Sequence, residues 1–247
     1  MSLFRRNILL TGVFCLVLHP LIAGEKSVKF GIGYKAYELN KNEKLIHSGR
    51  YFHGGYSYQF GNKFRNKVQF QISNSNREIT LEFPYVSAAT AANIYYDLNY
   101  RIITSKHSEH YIGAYLGDDF NLNFFPQVDH KNFVWENQTM IGISSMNNIN
   151  FNKSNRIDFN FHIPIYSNIV FNKMDRFDGK VPKDLPAKHF MGFRKQLLNS
   201  NWELGYVFNK YGILFGIYYQ GEYNYTSNTL NEGSSSSAHS ASLRIIY

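Results

Sequence analysis

The stretch "RIDFNFHIPI", residues 156–165, decides how this chain is read. Arg156, Asp158, Asn160 and His162 alternate with Ile157, Phe159, Phe161, Ile163 and Ile165. Successive side chains of a strand point to opposite faces, so one face here is apolar and the other can carry charge. A soluble protein turns such an apolar face into its core. A membrane barrel turns it toward lipid and points the polar face inward. Pro164 falls on the polar parity. It has no N–H to give a ladder, so it predicts a bulge or an end of the lipid-spanning part.

The same alternation recurs from residue 26 to the last residue. Val28, Phe30, Ile32 and Tyr34 oppose Lys29, Gly31, Gly33 and Lys35. Val68, Phe70 and Ile72 oppose Lys67, Gln69 and Gln71. Ile94, Tyr96, Leu98 and Tyr100 oppose Asn93, Tyr95, Asp97 and Asn99. Further segments follow around Ile112–Phe124, Thr139–Ile143, Trp202–Phe208, Ile213–Tyr219 and Leu243–Tyr247. The connectors alternate in length. "GNKFRN", "TSKHSE", "NKSN" and "NKYG" are short; "NKNEKLIHSG", the stretch around "QVDHKN", residues 172–200 and "SNTLNEGSSSSA" are long. Short turns on one side and long loops on the other is the pattern of a membrane-spanning barrel, and both chain ends then lie on the short-turn side. The count is ten strands, within a range of ten to twelve. Residues 66–85, where the apolar parity flips between Ile72 and Ile79, read as one long bulged strand or as an extra hairpin. Residues 144–151 are a second ambiguous zone.

Composition narrows the class. The chain has 247 residues, with 18% charged and 17% aromatic, and its mean hydropathy is below zero. After the amino terminus, no apolar run approaches the ~20 residues that a spanning helix needs. Alternation averages hydropathy away, so a spanning sheet stays open. The first residues, "MSLFRRNILLTGVFCLVLHPLIAG", place Arg5 and Arg6 before an apolar run, then Pro20 and the small residues Ala23 and Gly24. Residues 1–24 read as a cleaved secretory signal and 25–247 as a single barrel domain. The residues around Arg5-Arg6 fit twin-arginine export poorly. Cys15, the only cysteine, lies inside that leader behind Val13 and Phe14, which are not the small residues a lipidation site wants. The mature chain then has no thiol and no disulfide. Removing two arginines from the formal +8 leaves +6. No nucleic-acid motif accompanies that surplus, so contact with nucleic acid is not expected. Lys and Arg facing an anionic lipopolysaccharide surface is the more natural use.

Three features favour lipid over a soluble core. The polar parity is rich in Gly, Asn, Gln, Ser and Tyr, which suits a crowded lumen better than a solvated surface. Aromatics gather at strand ends: Phe52, Phe60, Tyr100, Phe124, Phe133, Trp135, Phe171, Trp202 and Tyr219. The chain ends "SLRIIY", with Leu243, Ile245 and Tyr247 alternating and the last residue aromatic. On these residues the chain resembles the outer-membrane β-barrel proteins of Gram-negative bacteria, whose final strand carries such an insertion signal. That resemblance implies an all-β, closed, antiparallel up-and-down transmembrane barrel in the outer membrane, met by barrel-insertion machinery during assembly. It transfers no active site.

The inward parity collects Lys29, Lys35, His53, Gln69, Asp97, Arg101, Asp119, Glu136, Asp158, His162, Glu203 and Arg244. Buried charges are usually paired, so mutual pairing that fills the lumen is the first expectation. His53, Asp97, Arg101, Glu136, Asp158, His162 and Glu203 are the candidate functional set. An eight-stranded barrel is just filled by side chains, and ten strands sit near that end. Inward Gly31, Gly33, Gly55, Gly113, Gly117, Gly142, Gly205 and Gly216 leave room for inward Tyr51, Tyr95, Tyr115, Tyr166 and Tyr218.

Surface catalysis finds little support. Outer-membrane lipases and deacylases pair a strand histidine with a serine two residues later, and no His-x-Ser occurs here. The omptin proteases use an Asp-x-His; Asp118-Asp119 and Asp129-His130 are adjacent instead, which throws the two side chains to opposite faces of a strand. No metal or cofactor motif is present. Residues 172–200 carry seven Lys or Arg against three Asp, which fits a plug, a lipopolysaccharide contact or a protein partner. Three readings stand: a non-enzymatic barrel that is an accessory component or a narrow solute path; an outer-membrane hydrolase with an unfamiliar His/Asp site; and a soluble periplasmic binding protein.

Overall fold

The computed structural model describes residues 24–39, 45–79, 85–124, 133–152, 154–171, 188–193, 197–227 and 233–247. They form eleven strands: β1 (Gly24–Leu39), β2 (Leu45–Phe60), β3 (Phe64–Ile79), β4 (Tyr85–Thr104), β5 (Ser108–Phe124), β6 (Phe133–Asn150), β7 (Asn155–Phe171), β8 (Lys188–Phe193), β9 (Leu197–Lys210), β10 (Ile213–Ser227) and β11 (Gly233–Ile246). Each strand pairs with its chain neighbour in antiparallel fashion, with one exception. β8 lies against residues 166–171 of β7, and β9 against residues 155–162 of the same strand. The two share one place in the wall, so the barrel has ten strands.

Closure runs along the full length of β1 and β11, from Ser27 opposite Ile246 to Leu39 opposite Ser234. Lys26 and Tyr247 exchange both backbone hydrogen bonds, at 2.9 and 2.8 Å. An unpaired backbone group in hydrocarbon costs several kcal/mol, so a sheet with these outward faces has to close. The tightest turn, Tyr211-Gly212, has both residues at positive φ, as the two-residue hairpin that matches strand twist requires. Asn209 Oδ1 accepts from Gly212 N at 3.1 Å and fixes that corner.

Faces sort as the alternation predicts, and in the sense of a membrane barrel. Phe30 and Leu116 point outward, 63% and 48% exposed, while Lys29 and Asp97 are inside at 3% and 1%. Phe159, set against an interior in the soluble alternative, faces out. Trp202 lies over Gly221 on that outer face, where a Cβ would come within 2.4 Å of the indole.

Four local expectations are corrected. β3 and β4 keep one register from Phe64 opposite Tyr100 to Ile79 opposite Tyr85, so there is neither a bulge nor an extra hairpin between Ile72 and Ile79. The irregularity on β4 lies between Arg101 and Ile103 instead. Residues 144–150 belong to β6 alone, so no further pair of strands arises there. Tyr166 is not in the lumen. Ile141 pairs with Tyr166 but Gly142 pairs with Pro164, so Ile165, next to the proline, is the extra residue and the parity inverts beyond it. Tyr166 therefore shares the outer face with Ile141, while Ser167 and Ile169 turn inward and are buried. The bulge that proline predicts is thus present. Finally, residues 188–193 are not loop: with no apolar period to announce them, they add to β7 through backbone pairing. Residues 1–23, with Arg5, Arg6 and Cys15, lie outside the described residues, as do residues 125–132 and 172–187.

Candidate functional site

The lumen is the site, and its lower half is built as a filled cylinder. Tyrosines on one strand lie over glycines on the next. An added Cβ on Gly33 would sit 2.6 Å from the Tyr51 ring, on Gly117 2.8 Å from Tyr95, and on Gly142 2.5 Å from Tyr115. Tyr218 covers two glycines at once, Gly205 on the neighbouring strand and Gly216 on its own, at 2.1 and 2.3 Å. Gly31 takes the His53 ring in the same way, at 2.3 Å. These contacts carry out the large-against-small packing expected from the inward glycines, Tyr166 excepted.

Charge fills what the rings leave. Glu203 Oε2 accepts from Arg244 Nη2 at 2.6 Å, and Lys67 reaches Glu203 Oε1 across the lumen at 3.9 Å. Asn160 Nδ2 donates to the same oxygen at 3.1 Å. The Arg244 guanidinium lies 3.9 Å over the Tyr218 ring, and the Tyr218 hydroxyl donates to Asp158 at 2.8 Å. Asp158 meets Arg156 at 3.0 Å, and Arg156 meets Glu25 at 2.8 Å. One chain of contacts thus runs from mid-lumen to the short-turn rim. A second cluster stands at that rim: Arg65 and Arg101 on Glu109 at 2.9 and 3.5 Å, with Arg65 3.9 Å over Tyr111.

The seven candidate residues distribute unevenly over this framework. His162 and Asp97 come together at 2.8 Å, with His162 stacked on Tyr95 at 6.1 Å and tilted against Tyr115 at 4.9 Å. Asp158 and Glu203 belong to the charge chain. Arg101 sits at the rim, where it also donates to Asn62 at 2.7 Å. His53 is buried with neither ring nitrogen hydrogen-bonded. Glu136 lies toward the end where the long connections leave. A site joining His53, Asp97, Asp158 and His162 is not assembled; these residues are divided among three separate environments.

Arg65, Glu109, Tyr111 and Glu25 were not among the sequence candidates. Each flanks a short turn or a chain end, and that position was the only available signal. Among the described residues, no group of three or more His, Cys, Asp or Glu side chains is placed to share a metal ion.

The upper lumen differs. Ser73, Ser75, Ala89, Ala91 and Ala238 line a cavity together with Lys35, Tyr51, Gln71, Asn93 and Glu222. Its free volume is about 20 Å³, room for little more than one water molecule.

No protein-family model matches the chain, and no curated protein matches it. Solved structures do. The outer-membrane protease OmpT from Escherichia coli aligns over 92% of this chain and 99% of its own, at 6% identity and a TM-score of 0.53. Neisserial surface protein A aligns over 90% of this chain and 99% of its own, at 9% identity and a TM-score of 0.35. The attachment protein Ail of Yersinia pestis aligns over 92% of this chain and 100% of its own, at 11% identity and a TM-score of 0.33. The last two likenesses are too loose to argue from. The first defines the class: the fold is that of a Gram-negative outer-membrane β-barrel. At this identity it carries the fold alone and none of the protease's chemistry.

Proposed function

We propose that this chain is an integral outer-membrane barrel with a sealed lumen, a non-enzymatic accessory or scaffold component whose working surface lies at the long-connection end. In this reading residues 1–24 are a cleaved export leader. Leu243, Ile245 and Tyr247 are the part of the last strand that the insertion machinery reads. The basic stretch 172–200 meets lipopolysaccharide phosphates or a protein partner. The observation that carries the proposal is the contact chain Lys67–Glu203–Arg244–Tyr218–Asp158–Arg156–Glu25, which spans the lower lumen with its charges engaged. Buried charges held in this way resist displacement by a passing solute, because separating any pair leaves an uncompensated charge.

Planar-bilayer recording tests it. The purified barrel is expected to give no conductance steps, while heat-modifiable gel migration shows that it is folded. Steady ohmic conductance in the unmodified protein would overturn the sealed lumen and restore the solute path. The hydrolase reading draws on the His162–Asp97 pair. Lipid or peptide turnover that is abolished by His162→Ala, in a barrel still folded on gels, would favour it; two tyrosine rings cover that histidine and argue the other way.

A further inference from the structure

One outward position carries a charge where its neighbours are apolar. Asp118 stands on the outer face of β5 between Leu116 and Phe120, which are 48% and 40% exposed, while Asp119 beside it turns inward and is buried. Ile94 on β4 faces it in register and is exposed too. Farther toward the long connections the outer face of β5 is apolar again at Leu122. The carboxylate therefore lies within the apolar wall and not beyond its edge. Thr139 Oγ1 and Asn137 Nδ2 on β6 donate to its Oδ1, at 2.8 and 3.1 Å. Both bonds go to that one oxygen; Oδ2 receives none from the described residues. A charge on an apolar wall costs free energy unless a partner supplies a donor to it.

The far side of the cylinder carries the complementary groups. Arg50 on β2 is exposed, on the same parity as the outward Phe52, and meets no carboxylate among the described residues. It stands opposite Tyr34 in register, and Tyr34 stands opposite His239. All three are exposed. The Tyr219 hydroxyl lies 3.1 Å from His239 Nδ1, which leaves the other ring nitrogen for an outside partner. β1, at the centre of this face, is four steps from β5 and five from β6 in a ring of ten strands, so the two faces look in nearly opposite directions. Their heights agree as well. From Ser108 at the foot of β5 to Asp118, and from Phe60 at the foot of β2 back to Arg50, is ten residues each.

We infer that these two faces dock on each other in neighbouring copies of this chain, so that the barrels line up side by side in rows. Arg50 of one copy donates to the Asp118 carboxylate of the next, a charge-assisted bond. Asn137 and Thr139 then lie against Tyr34 and His239, polar groups bonding across an apolar contact. Water weakens such a pair at a soluble surface; apolar surroundings do not. A contact between unlike faces is head-to-tail, and faces that look in nearly opposite directions extend it into open rows and not closed pairs. A lipid phosphate would suit Arg50 and His239, but it would leave Asp118 unanswered; a second copy answers both faces with one contact. The inference goes beyond the sealed lumen and rests only on the outer-membrane part of the reading above.

Energy transfer between donor- and acceptor-labelled full-length barrels, in phosphatidylcholine vesicles free of lipopolysaccharide, tests this. Transfer above that of random mixing is expected, rising with protein density. Asp118→Asn and Arg50→Gln should each weaken association roughly tenfold or more, the loss of one charge-assisted bond. Asp118→Arg and Arg50→Asp should each abolish rows alone. Mixed as separate chains, they should form pairs that grow no further, because each retains one working face. Combined in a single chain, they should restore rows. If Asp118→Arg fails to fold on heat-modifiable gels, Asp118→Asn and Arg50→Gln still decide. Random-mixing transfer in the unmodified protein, equal association in all variants, or association that needs added lipopolysaccharide would each overturn the inference, the last in favour of a lipid phosphate at Arg50. A barrel that enters vesicles without associating overturns the rows and leaves the membrane reading standing; a chain that does not enter them overturns both. The conductance of the unmodified barrel tests the sealed lumen by itself.

Discussion

Toward the short turns the lumen is packed with rings and ion pairs; toward the long connections its wall carries small side chains. The lower half sets rings into glycine gaps and carboxylates against arginines and a lysine, as at Tyr218 over Gly205 and Arg244 on Glu203. The upper half sets Ala89, Ala91, Ala238, Ser73 and Ser75 beside Tyr51 and leaves a water-sized space among them. Both halves belong to the same strands and share the same apolar exterior. The difference teaches that the outward positions specify a closed apolar wall, while the inward positions alone specify how tightly its interior is packed.

The sharpest way to break this contrast is at Glu203. Glu203→Ala strands Arg244 and Lys67 without their carboxylate, and breaking a buried pair from one side costs about 3–5 kcal/mol. Denaturant titration of the folded barrel should show a loss of that size. A loss under about 1 kcal/mol would mean that the lower lumen is wet. Next comes Gly205→Ala, whose new methyl would lie 2.1 Å from the Tyr218 ring. Overpacking of this kind costs about 1–3 kcal/mol, and Tyr218→Ala in the same chain should recover part of it in a double-mutant cycle. Ala91→Leu probes the other half. The larger side chain exceeds the water-sized space beside it and should cost about 1–3 kcal/mol; a cost below about 1 kcal/mol would show that the upper wall yields where the lower does not. The smallest effect is expected at the rim, where Arg101 and Glu109 are each 26% exposed along their side chains. Arg101→Ala should shift the same measurement by about 0–1 kcal/mol, since solvent screens such pairs.

Much of this was legible from alternation. The outward set, the inward set, the ten strands, the tight turn at "NKYG" and the bulge at Pro164 all follow from period two and from the chemistry of Gly and Pro. What alternation cannot supply is which inward residue meets which. Arg156 finds Glu25 131 residues away, and His162 finds Asp97 at 65, because register and barrel curvature decide those meetings. The same limit misplaced Tyr166: parity read through a bulge inverts, and the sequence marks where the bulge sits but not which residue is extra. The flip between Ile72 and Ile79 misled in the opposite sense, since a strand can carry an apolar residue on its polar parity without any break in its ladder.

The tyrosine-over-glycine contacts carry a mechanical consequence. A ring wedged between two strands works like a spoke, and spokes at Tyr51, Tyr95, Tyr115 and Tyr218 brace the cylinder from several directions. A tube braced from within keeps its round cross-section under lateral load. Flattening would drive ring into backbone at several points together, so the cylinder resists it as a unit.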